Sequence, residues 1–136
     1  MRRCAAGELG LTLREAGNHA EADALLNESY TAFKAVFIPY THFHAPVAEV
    51  EKVGRMMMAL REAVGPNIEI MVDFHGRPAS AGAALAYIEA LAPGRPMFVE
   101  EVLPPGETAG LATVAAKTKV PIATGERLID RAEFDE

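Results

Sequence analysis

The chain has 136 residues, 50% of them hydrophobic and 24% charged, with one cysteine, no tryptophan and a formal charge of −6. Mixed charge on a half-apolar chain excludes the disordered and collagen-like classes, and the acidic balance, with no Lys/Arg stripe, argues against nucleic acid as a partner. Cys4 alone forms no intramolecular disulfide, so a cytoplasmic setting is expected, and no apolar run approaches the ~20 residues that span a bilayer.

The basic start Met1-Arg2-Arg3 is followed by Ala5-Ala6-Gly7-Glu8, where a signal peptide needs a longer apolar stretch. Residues 1–19, with Gly7, Gly10 and Gly17, are left unassigned within a single expected domain over 1–136. Ala22, Leu25, Leu26 and Tyr30 recur at helical spacing, which predicts a helix from about Ala20 to Tyr30. Thr31 to Pro39 is short, rich in Phe and Val and closed by proline, as a mostly buried strand would be.

Val47, Val50, Val53, Met57, Leu60 and Val64 share one helical face, with Pro46 suited to the first turn and Gly65-Pro66 to the end. Glu69 to Phe74 reads as a second buried strand. Ser80 can cap a helix running to about Leu91, and Met97-Phe98-Val99 gives a third strand that ends in Glu100-Glu101. A helix over roughly Glu107 to Lys117 then leads to a fourth strand, Val120 to Ala123, which ends at Thr124-Gly125-Glu126. Apolar strands alternating with helices predict parallel pairing through right-handed crossovers, an α/β fold built of repeated βα units.

Asp73, Glu100 and Glu126 each close an apolar strand and lie 27 and 26 residues apart, about one βα repeat. In a parallel sheet those places share the C-terminal edge, so the three side chains can converge. Each one alone is better explained by loop hydrogen bonding or helix capping. Together they repel unless a cation sits between them, and hard oxygen donors suit Mg²⁺. Glu101 points differently from Glu100 and is assigned a supporting or salt-bridge role.

His75 is two residues beyond Asp73. In extended backbone the two side chains project to the same side, where an imidazole can act as general acid or base. Gly76 permits an unusual turn, and Arg77 is available to pair with a carboxylate or phosphate. His42 and His44 form a weak metal signal and read better as part of a loop over the active face. Met56, Met57 and Met58 point in different directions from one helix and are expected to fill core gaps, and Cys4 lacks an activating base.

Met71-Val72-Asp73-Phe74-His75-Gly76-Arg77, Phe98-Val99-Glu100-Glu101 and Ile122-Ala123-Thr124-Gly125-Glu126-Arg127 resemble the mandelate racemase and muconate-lactonizing group of the enolase superfamily, in particular its galactonate dehydratase-like acid-sugar dehydratases. The resemblance covers about Tyr30 to the end. It implies a (β/α)7β barrel of the TIM type, of which this chain carries about four βα units. It further implies Mg²⁺ on Asp73, Glu100 and Glu126, a substrate carboxylate held on that metal, and removal of the proton α to it through an enediolate. His75 matches a general acid that protonates the departing hydroxyl, so that a 2-keto-3-deoxy acid results. Lys34, Arg77, Glu101 and Arg127 are candidate substrate-binding residues.

Lys34 fits the first lysine of the Lys-x-Lys pair found in parts of that group, but Val36 stands where the second, basic lysine would be, and Val102 replaces the proline that usually follows the paired glutamates. The His–Asp base of the dehydratases, the capping domain and the later strands have no counterpart in these residues. The expectation is therefore a truncated dehydratase that holds Mg²⁺ and a sugar-acid substrate but lacks its base. Two alternatives remain: a racemase or cycloisomerase of the same superfamily, and a non-catalytic half-barrel that forms a homo-oligomer through exposed sheet edges. A phosphate-binding module is disfavoured, because no Gly-rich loop follows any strand.

Overall fold

The computed structural model describes residues 31–135. Strand β1 (Ala32–Ala35) is followed by α1 (Val47–Val64), β2 (Glu69–Asp73), α2 (Ala81–Leu91), a 3-10 turn at Ala92–Gly94, β3 (Phe98–Glu100), α3 (Thr108–Lys117), β4 (Ile122–Ala123) and the short α4 (Arg131–Phe134). The four strands form one sheet in the order β1-β2-β3-β4, every pair parallel. Each strand therefore lies beside the next one in sequence, and a helix makes every crossover. This is the parallel α/β arrangement that the alternating pattern predicts, and the partial TIM-type barrel that the resemblance implies.

Local signals account for most element ends. The Ser80 hydroxyl accepts the Ala83 N–H at 3.1 Å and starts α2 as expected. Pro46 sits one residue before α1, at its N-cap, and Gly65 ends the helix with φ +77. Two expectations on strand length are corrected. The first strand pairs only over Ala32–Ala35, and Ile38 beyond it is fully buried outside the sheet. The fourth is shorter than expected, Ile122–Ala123. The expected helix over Ala20–Tyr30, and Cys4, lie outside the described residues.

The core lies between sheet and helices. Ile70 and Val72 of β2 and Val99 of β3 face Val53 and Met57 of α1, Tyr87, Ile88 and Leu91 of α2 and Val114 of α3. Of the three consecutive methionines only Met57 enters this core, while Met56 and Met58 are exposed. Strand residues alternate between faces, so Met71 and Asp73 of β2 project to the side away from Ile70 and Val72. Among the described residues no helix is long and apolar enough to cross a membrane.

Candidate metal centre

Parallel register brings the first two acids together. Asp73 ends β2 directly beside Glu100 at the end of β3. Glu100 in turn pairs with Ala123, so Glu126 lies three residues past its register partner on the loop after β4. The equivalence expected of the three carboxylates therefore holds for Asp73 and Glu100. Glu126 reaches the same edge by another route, through a turn at Gly125, whose φ of +124 favours glycine.

Lys34, on the neighbouring strand, joins the first two. Its Nζ lies 2.5 Å from Glu100 Oε2 and 3.2 Å from Asp73 Oδ2. The hydrogen bond to Glu100 raises the lysine's proton affinity; burial opposes this, and Asp73 adds to the rise. Burial pushes the Asp73 carboxyl up, but the Lys34 ammonium and the His75 hydrogen bonds outweigh it and hold the group below the usual carboxylate range. Asp73, only 3% exposed, is thus a buried anion with a cation beside it.

His75 reaches Asp73 through a turn. Its backbone is left-handed, with φ +56, so the extended geometry expected between Asp73 and His75 is corrected. The turn lets the His75 N–H donate to Asp73 Oδ1 at 2.8 Å and brings Nδ1 to 3.3 Å from Oδ2. Nδ1 is also 3.9 Å from Glu126 Oε1. Ligand atoms of Asp73, His75 and Glu126 all lie within 4.8 Å of one another, a separation a single ion can bridge. Glu100 is outside that group and is engaged by Lys34. Sequence reasoning assigned His75 to acid chemistry and overlooked it as a possible ligand; its place two residues after Asp73 was the available signal.

The remaining candidates hold the frame. Glu101 is buried, and its carboxylate accepts from the Thr124 hydroxyl and the Gly125 N–H, both at 2.8 Å, and from Arg127 Nη2 at 3.0 Å. The salt bridge expected of Glu101 is therefore made to Arg127. Burial pushes this carboxyl up as well, but the Gly125, Thr124 and Arg127 bonds hold it below the usual range. Thr124 and Gly125 were not foreseen as its partners. Arg77 donates to the Ile38 carbonyl at 2.7 Å and stacks over Tyr40, its charge centre 5.2 Å from the ring. His42 and His44 lie on the loop between β1 and α1, in an open cleft with Tyr40 and Phe43. That loop is pinned where Thr41 Oγ1 meets the buried Tyr87 hydroxyl at 2.8 Å.

Comparison with known proteins bears on the family and the fold. Residues 18–136 match the family model of enolase C-terminal domain-like proteins. Over 75 residues the chain is 45% identical to D-galactonate dehydratase of Ralstonia nicotianae and 44% identical to D-galactonate dehydratase of Klebsiella pneumoniae, each match covering 55% of this chain and 19% of the relative. The crystal structure of a mandelate racemase/muconate lactonizing enzyme from Jannaschia sp. CCS1 superposes with a TM-score of 0.74 at 36% identity, over 86% of this chain and 31% of that one. One from Sulfitobacter sp. gives 0.72 at 30% identity, over 85% and 31%. The chain thus spans about a fifth of the curated relatives it matches and about a third of these structures.

Proposed function

Because the chain belongs to the enolase C-terminal domain-like family, we propose that it carries the metal-binding and acid groups of a Mg²⁺-dependent hydro-lyase that acts on a sugar acid of the aldonate type. On this reading the proton α to the carboxylate and the β-hydroxyl leave, and a 2-keto-3-deoxy acid forms. The observation that carries the reading is the meeting of Asp73, His75 and Glu126 within 4.8 Å at the C-terminal edge of a parallel sheet.

The residues fit a hard divalent ion. Carboxylate oxygens are its preferred donors, and Asp73 is already held as an anion although buried. Asp73, Glu100 and Glu126 would hold it. A bound Mg²⁺ would supply Lewis acidity, stabilising the negative charge that develops on the substrate carboxylate as the α-proton leaves. Glu100 is engaged by Lys34, so it would join Asp73 and Glu126 on the ion only where the ion displaces the Lys34 ammonium.

His75 supplies the acid step. As the bond from the β-carbon to its hydroxyl oxygen breaks, the protonated imidazole gives that oxygen a proton and water departs. Asp73 fixes the His75 backbone through the N–H and meets the ring at Nδ1, and the side chain is 53% exposed, so substrate can reach it. Val36, one residue past β1, is aliphatic and accepts no proton, so it does not supply the base for the α-proton.

Mn²⁺, a paramagnetic stand-in for Mg²⁺, tests this reading. Asp73→Asn, Glu100→Gln and Glu126→Gln are each expected to weaken Mn²⁺ binding at least tenfold by electron paramagnetic resonance. Bound Mn²⁺ is expected to relax the C2 proton of galactonate more than its C6 protons. Unchanged affinity in all three variants would remove the metal site and the reading with it.

A second reading, self-association, is favoured by the open sheet, in which β1 and β4 are the two edges among the described residues. A homodimer joined edge to edge would sediment as a stable dimer, whereas a folded monomer at micromolar concentration counts against it.

A further inference from the structure

We propose that Glu101 and Arg127 form a positioning pair that sets His75 and Glu126 in place from behind; the inference rests on the function proposed above and deepens it. The Glu101 carboxylate has no capacity left for substrate. Oε1 accepts from Thr124 Oγ1 and from the Gly125 N–H, and Oε2 accepts both Nε and Nη2 of Arg127, at 3.2 and 3.0 Å. With its side chain 4% exposed, the group is closed to solvent by its own partners. A buried carboxylate is costly unless paired and bonded in this way, and the left-handed backbone at Glu101, φ +48, adds strain.

What that arrangement secures is visible in the two loops it joins. The Glu101 carbonyl accepts the Gly76 N–H at 2.7 Å, next to His75. Its N–H donates to the Ala123 carbonyl at 3.0 Å, and its carboxylate grips Gly125 and Arg127, the residues on either side of Glu126. The Arg127 guanidinium lies against Gly76 so closely that a Cβ there would run into Nη2. One buried residue therefore fixes the loop carrying the acid and the loop carrying the ligand, although it touches neither of those side chains.

A purely structural role would cost stability alone; a positioning role costs metal affinity out of proportion to it. Glu101→Gln keeps an acceptor for Gly125 and loses the charge that holds Arg127. It is expected to weaken Mn²⁺ binding about tenfold, as does losing a partner of a ligand elsewhere. Arg127→Met is expected to do the same, and the double variant to be no worse than either single, because the two act as one unit. Arg127→Lys, which keeps the charge but not the fork, is expected to recover part of the loss. Val53→Ala, in the core of α1, serves as a control: it lowers the melting temperature and leaves Mn²⁺ affinity within twofold.

If Glu101→Gln does not fold, Arg127→Met and Arg127→Lys carry the test, since the Arg127 side chain is 36% exposed. Variants that bind Mn²⁺ as wild type does, or a Val53→Ala protein that loses affinity in step with its melting temperature, would overturn the positioning role while the metal site stands. A wild-type chain that binds no Mn²⁺ would overturn both.

Discussion

Lys34 bonds Glu100 across two strands of the sheet, its Nζ 2.5 Å from Oε2, and the same ammonium reaches Asp73 at 3.2 Å. One ammonium thus bridges two of the acids proposed to bind the metal. Its removal leaves Asp73 and Glu100 facing each other with no positive charge between them. Because the lysine is partly solvated, the bridge contributes no more than about 1 kcal/mol. Lys34→Met is expected to melt a few degrees below wild type in a chelator and to gain more than wild type does on addition of Mg²⁺. Scanning calorimetry in both conditions checks this, and identical melting of the two proteins in both would contradict it.

Gly76 and Gly82 are expected to respond in opposite directions to the same change. At Gly76 the backbone is left-handed, φ +62, and a new Cβ would run into the Arg127 guanidinium. The strained backbone alone costs roughly 1–2 kcal/mol for an L-residue, so Gly76→Ala is expected to lower the melting temperature and weaken metal binding. Gly82 lies in the first turn of α2 with nothing within 4 Å of its would-be Cβ. There Gly82→Ala is expected to stabilise by up to ~1 kcal/mol through helix propensity and a less flexible unfolded chain. Urea unfolding of the two variants measures both signs.

The contrast between those glycines also shows what the sequence could reveal. Ile70 and Val72 before Asp73, Val53 and Met57 one turn apart, and Ser80 before an alanine-rich run are local signals, and the elements they predict are present. Strand ends are not local. Ile38 is as apolar as Ile70 and equally buried, yet only tertiary register decides that β1 stops at Ala35. The same register places Glu126 three residues past Glu100's partner, which no spacing count distinguishes from a strand end. The left-handed turns at His75 and Glu101 are uncommon for any residue other than glycine, so composition gives no hint of them. Gly125 meets Glu101 through a backbone N–H, a donor common to all residues but proline.

Tyr87 couples the core to the loop after β1. Its ring is fully buried and its hydroxyl meets Thr41 Oγ1, which also donates to the Pro39 carbonyl. Tyr87→Phe keeps the packing and removes one partner, a loss of about 1–2 kcal/mol where the remaining hydroxyl is poorly solvated. The loop bearing His42 and His44 is expected to exchange its amide hydrogens faster in this variant, while α1 and β2 stay protected. Hydrogen exchange resolved by residue separates the two outcomes, and equal slowing or equal loss across the chain would place Tyr87 in the core alone.

Acid should weaken the site before it weakens the core. Burial raises the Asp73 and Glu101 carboxyls, but their hydrogen bonds and ion pairs overcome it, so both protonate at lower pH folded than unfolded. As pH falls through the usual carboxylate value near ~4, the unfolded chain takes up protons that the folded chain refuses. Stability from these two groups is therefore complete above that value and is lost as pH drops through the lower folded values. Lys34 has the opposite sign: its proton affinity is raised on folding, so its contribution is complete below the usual lysine value near ~10 and is lost only at higher pH. Between those limits the melting temperature is expected to change little on account of these groups, and to fall on the acid side. Glu101→Gln removes one of the two acid-side contributors, so its melting temperature is expected to fall less steeply than that of wild type below pH ~4. Parallel acid limbs in the two proteins would show that Glu101 is not held as an anion by Gly125, Thr124 and Arg127.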